Sequence, residues 1–425
     1  MSASLLELDR RHVWHPYTRH GTAPPPVAIR EARGAYLYDD AGRAIFDAIS
    51  SWWVTLHGHA QPEIAHAVAR QAQTLEQVIF AGFTHEPATR LAAALVRILP
   101  AGLSRVFFSD DGSTAVEVAL KLAFQYWRLR GEHRPLLAAL EHAYHGDTFG
   151  AMASSSRSAF TTPFESHLFE VARLPDPSTD PAGALAALDR LIDTRGRELA
   201  ALVVEPLLLG AGGMRIWQPQ ILRAMRERTE AGGILFVADE VLTGFGRTGP
   251  LFACGGASVE PDIMCLSKGL TGGFLPLGAT VVREEIFDAF SAGPRPETFF
   301  HGHSYTANPL ACAAALASLE LLDERAERSR TAISAIHGER LARLRAHPRV
   351  RCPRLLGTVA AFDLDSDPDY AHPAGGDLAS FALDAGVLLR PLGNVVYLLP
   401  PYCSTAADLA GAYDVIERFL AGANL

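Results

Sequence analysis

The fold is decided by two stretches, Ile234-Leu235-Phe236-Val237-Ala238-Asp239-Glu240 and Asp262-Ile263-Met264-Cys265-Leu266-Ser267-Lys268-Gly269. In each stretch a short apolar run is followed by polar or charged residues, which is typical of a buried β-strand that leads into a loop. The carboxyl ends of neighbouring parallel strands share one crevice, where open α/β sheets bind their ligands. We therefore expect the carboxylate of Asp239 and the amine of Lys268 to lie in one site.

An amine and a carboxylate in one crevice suit a cofactor that carries an aldehyde and a pyridine ring. The Lys268 amine forms a Schiff base with the aldehyde, and Asp239 keeps the ring nitrogen protonated so that the ring draws electrons. The sequence therefore predicts pyridoxal 5′-phosphate (PLP) as cofactor and both residues as catalytic. Taken singly, each residue has an ordinary explanation, since most lysines lie on the surface and a strand-end aspartate often caps a helix.

The segments around these stretches alternate between strand and helix patterns from about residue 62 to residue 310. Such alternation predicts an α/β fold, with a mostly parallel central sheet and helices on both faces. From residue 308 an Ala/Leu-rich stretch predicts one long helix to about residue 346. Strands are predicted at 105–109, 136–140, 201–204, 234–238, 263–266, 279–282, 357–364 and 394–399, and helices at 113–130, 219–228 and 405–421.

These elements predict one large domain and a smaller α+β domain. Residues 1–55 form an N-terminal segment that completes the small domain, 56–320 form the large cofactor-binding domain, and 321–425 form the C-terminal small domain. The most loop-like segments are 175–184 and 365–376.

Composition excludes several classes of protein. The chain has 425 residues, a formal net charge of −9 and no basic tract, so nucleic acid is not an expected partner. No apolar stretch reaches the length of a membrane span, and residues 1–11 lack the apolar core of a signal peptide. Five scattered cysteines fit a reducing compartment, so we expect a cytoplasmic protein without disulfides or paired-cysteine zinc sites.

Two further motifs fit a flat phosphorylated cofactor. Gly112-Ser113 stands between a predicted strand and a helix N-terminus, where free backbone N–H groups favour an anion. Ser113 alone would equally be an ordinary helix cap. Tyr144 follows another predicted strand and would stack on the cofactor ring, or would be a half-buried tyrosine in a polar loop.

Other motifs are weaker signals. The run 244–249 matches the dinucleotide pattern G-x-G-x-x-G, but it does not follow a strand directly and Pro250 stands where a helix should begin. The histidine pairs at 57–59 and 301–303 are weak zinc signals, and we predict no metal. Arg390 follows an apolar run and suits a substrate carboxylate, although a surface ion pair explains it equally well.

Longer motifs make the sequence resemble the class III (ω-type) PLP-dependent aminotransferases. The resemblance is carried by Val237-Ala238-Asp239-Glu240-Val241-Leu242-Thr243-Gly244-Phe245-Gly246-Arg247-Thr248-Gly249, by Ser267-Lys268-Gly269, by Tyr144-His145-Gly146 and by Asn308-Pro309-Leu310. It implies the PLP-dependent transferase fold type I and a homodimer with active sites at the subunit interface.

The resemblance also implies a role for each residue that matches the family's motifs. Lys268, Asp239 and Tyr144 would be catalytic, and Gly112 and Ser113 would hold the cofactor phosphate. Gly302, His303 and Ser304 would come from the partner subunit to bind substrate and phosphate, although some members have Pro-Thr in place of His303-Ser304. The substrate pocket would contain Tyr17, Trp52, Trp53, Tyr144, Arg247, Arg390 and Tyr397, with Arg390 on the substrate carboxylate.

Within the family, the motifs Trp14-His15-Pro16-Tyr17 and Trp52-Trp53 resemble members that aminate 8-amino-7-oxononanoate in biotin biosynthesis. The implied donor is S-adenosyl-L-methionine, the implied product is 7,8-diaminononanoate, and the implied mechanism is ping-pong. Lysine as donor remains open. So does an ω-amino-acid transaminase of the ornithine, 4-aminobutyrate or β-alanine type. A non-catalytic binding protein with this fold would be favoured if Lys268 or Asp239 were absent, and both are present.

Overall fold

The computed structural model describes residues 4–291, 297–366, 368–370 and 372–422. The strands are β1 Ile29–Arg33, β2 Tyr36–Asp39, β3 Ala44–Asp47, β4 Leu103–Ser109, β5 Leu136–Leu140, β6 Val171–Leu174, β7 Leu199–Val204, β8 Leu208–Leu209, β9 Arg215–Ile216, β10 Leu235–Asp239, β11 Ile263–Leu266, β12 Gly278–Arg283, β13 Val350–Leu356, β14 Val359–Leu364, β15 Val387–Leu388 and β16 Val395–Leu398. The helices are α1 Leu5–His12, α2 Ser50–Trp53, α3 Pro62–Ala72, α4 Glu86–Ile98, α5 Gly112–Leu129, α6 Phe149–Ser154, α7 Pro181–Arg195, α8 Pro219–Ala231, α9 Ala253–Gly256, α10 Glu284–Ser291, α11 Pro309–Glu320, α12 Glu324–Leu344, α13 Ala374–Asp384 and α14 Ala406–Leu420.

The largest sheet in the described ranges has seven strands in the order β4-β12-β11-β10-β7-β5-β6. Neighbouring strands from β11 to β6 are parallel, whereas β12 runs antiparallel to both β11 and β4. Every residue of β5, β7, β10 and β11 is buried, because helices cover both faces of the sheet. The predicted α/β fold with a mostly parallel central sheet is confirmed.

The N-terminal and C-terminal segments share a second sheet. β1, β2 and β3 form antiparallel pairs, and β15 joins β3 in parallel through the pairs Val387–Phe46 and Leu388–Asp47. A further antiparallel sheet, β13-β14-β16, lies against α12. This pairing agrees with an N-terminal segment that completes the small domain, while the boundaries at residues 55 and 320 stay predictions.

Three predicted segments differ in the structure: α13 begins at Ala374, inside the predicted loop 365–376, and in the other two a helix cap was overlooked. The stretch after residue 308 is two helices, since Asp323 caps a new helix by accepting a hydrogen bond from the Ala326 N–H. The predicted loop at 175–184 already contains the start of α7. There Asp180 accepts from the Gly183 N–H, and Pro181 occupies the first helical position. No helix in the described ranges is long and apolar enough to cross a bilayer.

Candidate active site

Asp239 and Lys268 lie in one cavity, as their strand-end positions predict. β10 and β11 are parallel neighbours, so Asp239 at the end of one strand lies beside the segment that carries Lys268 after the other. Both residues line a cavity of about 630 Å³, here called the lysine cavity, together with Gly112, Ser113 and Tyr144. The structure therefore brings together an amine, a carboxylate, a helix N-terminus and an aromatic ring.

The surroundings of the Lys268 amine lower its pKa and so favour its neutral form. Its Nζ lies 4.8 Å from the centroid of the Trp53 ring, in a cavity whose lining also includes the carboxylates of Asp239 and Glu205. Protein atoms desolvate the amine and lower the pKa of Lys268, while the charges of Asp239 and Glu205 oppose that shift. A lowered pKa increases the fraction of neutral amine, which is the form that attacks an aldehyde and accepts a proton.

Asp239 is oriented by two hydrogen bonds. Its Oδ2 lies 2.7 Å from Nδ1 of His145, and its Oδ1 accepts a hydrogen bond of 3.1 Å from the Val241 N–H. Both Asp239 and His145 are buried. A fixed carboxylate at the floor of the cavity can hold a proton on a pyridine nitrogen.

An anion cradle lies at the N-terminus of α5. Asp111 caps this helix by accepting from the Thr114 N–H at 2.8 Å, so the N–H groups of Gly112 and Ser113 stay available to a ligand. Ser113 Oγ accepts a hydrogen bond of 3.0 Å from the Thr148 N–H. A Cβ at Gly146, which has φ +127°, would lie only 2.2 Å from Ser113 Oγ. Glycine at that position therefore allows the close loop contact that shapes the cradle.

A second cavity of about 270 Å³, here called the aromatic pocket, also opens onto Lys268. The rings of Tyr17 and Trp52 meet edge to face with centroids 5.3 Å apart, and the Arg390 guanidinium lies 4.7 Å from the Trp52 ring centroid. Trp53 Nε1 donates a hydrogen bond of 3.0 Å to the Tyr397 hydroxyl. Apolar rings with one exposed guanidinium suit a substrate with an apolar stem and a carboxylate.

Two tyrosines and an aspartate connect the aromatic pocket with the lysine cavity. The Tyr17 hydroxyl donates to Asp147 and lies 3.3 Å from the Tyr144 hydroxyl. Burial, followed by the hydrogen bond to Asp147, raises the pKa of Tyr17 to about 12, and burial also raises the pKa of Tyr144. Both phenols therefore stay protonated at neutral pH and act as hydrogen-bond donors.

Comparison with known proteins agrees with this geometry. The family profile Aminotransferase class-III matches residues 17–420. A Synechococcus elongatus protein named adenosylmethionine-8-amino-7-oxononanoate aminotransferase is 52% identical over 419 residues, covering 96% of this chain and 98% of its own length. The crystal structure of a protein of the same name from Methanocaldococcus jannaschii superposes with a TM-score of 0.93 at 33% identity, covering 99% of each chain.

The chain belongs to the class III aminotransferases. This family depends on PLP, and an amine transaminase from an uncultivated Pseudomonas species, solved in its PLP-bound form, is 32% identical with a TM-score of 0.90 over 97% of this chain and 99% of its own. The predicted family, fold type and cofactor are confirmed. In this aminotransferase the anion cradle, the oriented Asp239 and the desolvated Lys268 fit PLP, whereas the individual residue roles stay predictions.

The structure does not bring Arg247 to the surface of either cavity. Its guanidinium is buried and donates to the backbone carbonyl groups of Pro400, Trp53 and Thr55 at 2.9–3.4 Å. Arg247 therefore supports the chain segment behind Trp53, and the geometry gives no contact through which it would touch a substrate.

The segment predicted to serve the partner subunit lies outside the lysine cavity of its own chain. Gly302, His303 and Ser304 line a separate cavity of about 660 Å³, here called the His303 cavity. The His303 Nε2 lies 3.7 Å from Oδ1 of Asp110, which lines the lysine cavity. In the described residues no group of three or more His, Cys, Asp or Glu side chains is arranged to hold a metal ion.

Sequence reasoning missed three residues of the site: Glu205, Asp147 and His145. Glu205 follows the buried run of β7 just as Asp239 ends β10, so the same strand-end signal would have indicated it. Asp147 and His145 lie in the loop that carries Tyr144, where only the tyrosine was assigned a role. Their contacts to Tyr17 and Asp239 join residues far apart in the sequence, and no local pattern indicates such pairs.

Proposed function

We propose that this chain transfers the amino group of S-adenosyl-L-methionine to 8-amino-7-oxononanoate and so forms 7,8-diaminononanoate, a step of biotin biosynthesis. The observation that carries the proposal is the aromatic pocket, in which Tyr17, Trp52 and Trp53 surround the approach to Lys268 and Arg390 lies over Trp52. The relatives that bear this enzyme's name match along nearly the whole chain.

The shape of the pocket suits the acceptor. Its apolar stem would lie against the rings, where each buried methylene contributes about 0.8 kcal/mol. Its carboxylate would meet the guanidinium of Arg390, which forms paired hydrogen bonds with a carboxylate. This arrangement directs the ketone towards Lys268.

The residues of the lysine cavity divide the catalytic work. Bound PLP supplies an aldehyde and a ring that accepts electrons. Gly112 and Ser113 would hold its phosphate, and Asp239 would keep a proton on its ring nitrogen. Lys268 Nζ, whose pKa burial lowers, would carry a proton to and from the reacting carbon of the substrate in both halves of the ping-pong cycle.

A second copy of the chain would complete the site. Large apolar side chains stand exposed near the His303 cavity, with Phe300 exposed at 85%, Tyr305 at 66% and Ile79 at 63%. Exposed apolar residues grouped in this way mark protein–protein contacts. We infer a homodimer in which Gly302, His303 and Ser304 reach the partner's site, with the Ser304 hydroxyl on the phosphate.

We also place the enzyme in the cytoplasm. Its five cysteines are free thiols, and Cys254, Cys265 and Cys312 are buried among apolar residues. Free thiols in this number fit a reducing compartment.

A donor-comparison assay tests the proposal. Purified protein is incubated with 8-amino-7-oxononanoate and, in separate reactions, with S-adenosyl-L-methionine, lysine or ornithine, and 7,8-diaminononanoate is measured by mass spectrometry. We expect product with S-adenosyl-L-methionine. Product with lysine alone would show that lysine is the amino donor. No product with any donor would overturn the assignment of 8-amino-7-oxononanoate as the acceptor. A parallel assay with 4-aminobutyrate and β-alanine would then identify an ω-amino-acid transaminase.

A further inference from the structure

Glu205 is a buried carboxylate in the lysine cavity to which the proposed chemistry assigns no role. It follows β7, the strand next to β10, so it lies at the same sheet edge as Asp239. Its side chain is only 4% exposed and faces the same cavity as Lys268. A buried carboxylate is costly unless hydrogen bonds or opposite charges compensate it, so this position requires an explanation.

The first part of that explanation is mechanical. Oε1 of Glu205 accepts a hydrogen bond of 2.9 Å from the Tyr144 N–H, and Oε2 accepts one of 3.0 Å from the Gly210 N–H. One side chain thus ties the loop that carries Tyr144 to the loop that carries Ala211. Both loops contribute walls to the aromatic pocket. Glu205 therefore joins two walls of the pocket that opens onto Lys268.

The second part is electrostatic. The titratable groups that act on the pKa of Glu205 are His145 and Asp239, and Glu205 in turn acts on the pKa of Lys268. Desolvation raises the pKa of Glu205 to about 7, an effect that Asp239 increases and His145 opposes. The negative charge of Glu205 raises the pKa of Lys268, against the larger lowering that burial causes. The amine therefore has two carboxylates beside it.

We propose that Glu205 is a positioning residue of the amino-transfer site, which ties the Tyr144 loop to the Ala211 loop and supplies a second negative charge beside the Lys268 amine. This proposal deepens the proposed function and rests on Lys268 as the reacting amine. It assigns Glu205 no contact with the reacting atoms.

The chain offers a clean test because it contains two lysines, Lys268 and the exposed Lys121. The full-length protein, freed of cofactor, is labelled with acetic anhydride across a pH series, and peptide mass spectrometry reports acetylation of each lysine. Glu205 is fully charged only above its own pKa of about 7, so in Glu205→Gln the loss of this charge should lower the pH midpoint of Lys268 labelling by about one unit in the part of the series above pH 7. The Lys121 midpoint should not move, which controls for reagent and pH.

Two further variants separate charge from shape. Glu205→Asp keeps the charge, so its Lys268 midpoint should stay close to the wild-type value. Its shorter side chain cannot reach both N–H groups, so KM should rise more than kcat falls for any donor that the wild-type enzyme uses. Glu240→Gln is the matched control, because Glu240 is equally buried and also accepts from two backbone N–H groups, those of Ala253 and Cys254. Its Lys268 midpoint should be unchanged.

An unchanged pH midpoint for Lys268 labelling in folded Glu205→Gln would show that Glu205 places no negative charge beside the amine. An equal shift of that midpoint in Glu240→Gln would show that the shift is not specific to Glu205. Should Glu205→Gln fail to fold, a wild-type KM in Glu205→Asp would overturn the mechanical part. Labelling needs no substrate. A failure of this proposal is therefore distinct from a failure to aminate 8-amino-7-oxononanoate.

Discussion

The lysine cavity and the aromatic pocket share Lys268 and Tyr144 but are built in different ways. The lysine cavity takes its key groups from strand ends and a helix N-terminus, so each side chain is fixed by regular structure next to it in the sequence. The aromatic pocket is assembled from distant segments, with Tyr17, Trp52 and Arg390 meeting only through tertiary contacts. We infer that regular backbone structure positions the groups for the chemistry that the family shares. Tertiary contacts between distant side chains shape the pocket that we propose selects the substrate.

The strongest test of this contrast removes the amine itself. Lys268→Ala should reduce amino transfer by about 10⁴-fold or more, since general acid–base and covalent roles are lost together. The matched variant Lys121→Arg replaces the other lysine, an exposed residue of α5 whose Nζ donates to the Phe300 carbonyl, and it keeps the positive charge there, so it should retain most activity. Steady-state rates of both variants with saturating cofactor check this. Equal losses would contradict the assignment of Lys268.

A smaller loss of activity is expected from a change at Asp239, the carboxylate proposed to hold a proton on the cofactor's ring nitrogen. Asp239→Asn keeps the shape but removes the charge, and we expect kcat to fall about 10²- to 10³-fold, the range for one lost electrostatic partner in a closed site. The dissociation constant of PLP, measured by fluorescence quenching, should rise as well. A wild-type kcat in a folded Asp239→Asn protein would show that catalysis does not require a negative charge beside the cofactor's ring nitrogen.

The aromatic pocket should respond through binding, not through chemistry. Arg390→Ala would remove the proposed hydrogen bond to the substrate carboxylate, a bond between charged groups worth about 1.5–3 kcal/mol, so KM for 8-amino-7-oxononanoate should rise about 10- to 100-fold. The donor half-reaction, followed in single-turnover absorbance experiments, should change much less. Arg418→Ala is the control, because Arg418 also lies over an aromatic ring, that of Phe381, but on α14. A similar KM for both variants would place the carboxylate elsewhere.

The smallest effect is expected where a single hydroxyl is removed. Tyr17→Phe keeps the ring against Trp52 but loses the hydrogen bond to Asp147. A hydrogen bond to a charged group is worth about 1.5–3 kcal/mol. Because Tyr17 is partly exposed, water can replace part of this interaction, so we expect KM to rise roughly tenfold or less. Comparison with Trp52→Ala, which removes a whole ring, sharpens the distinction between packing and hydrogen bonding.

The difference between the lysine cavity and the aromatic pocket also explains which features could be predicted from the sequence. Asp239, Lys268 and Gly112 were predicted from local patterns, because strand ends and helix starts leave a signal in neighbouring residues. The break between α11 and α12 was missed because the cap at Asp323 was overlooked within an Ala/Leu-rich run. The buried position of Arg247 follows from carbonyl groups of Trp53, Thr55 and Pro400, which no nearby residue reveals.

The central claim, that Lys268 is the residue that binds the cofactor aldehyde, has one direct test. Holoenzyme is reduced with borohydride, digested and analysed by mass spectrometry for a pyridoxyl group, with Lys121 as the alternative amine. We predict the group on the peptide that contains Lys268 and none on the peptide that contains Lys121. A pyridoxyl group on Lys121, or on neither peptide, would contradict the account.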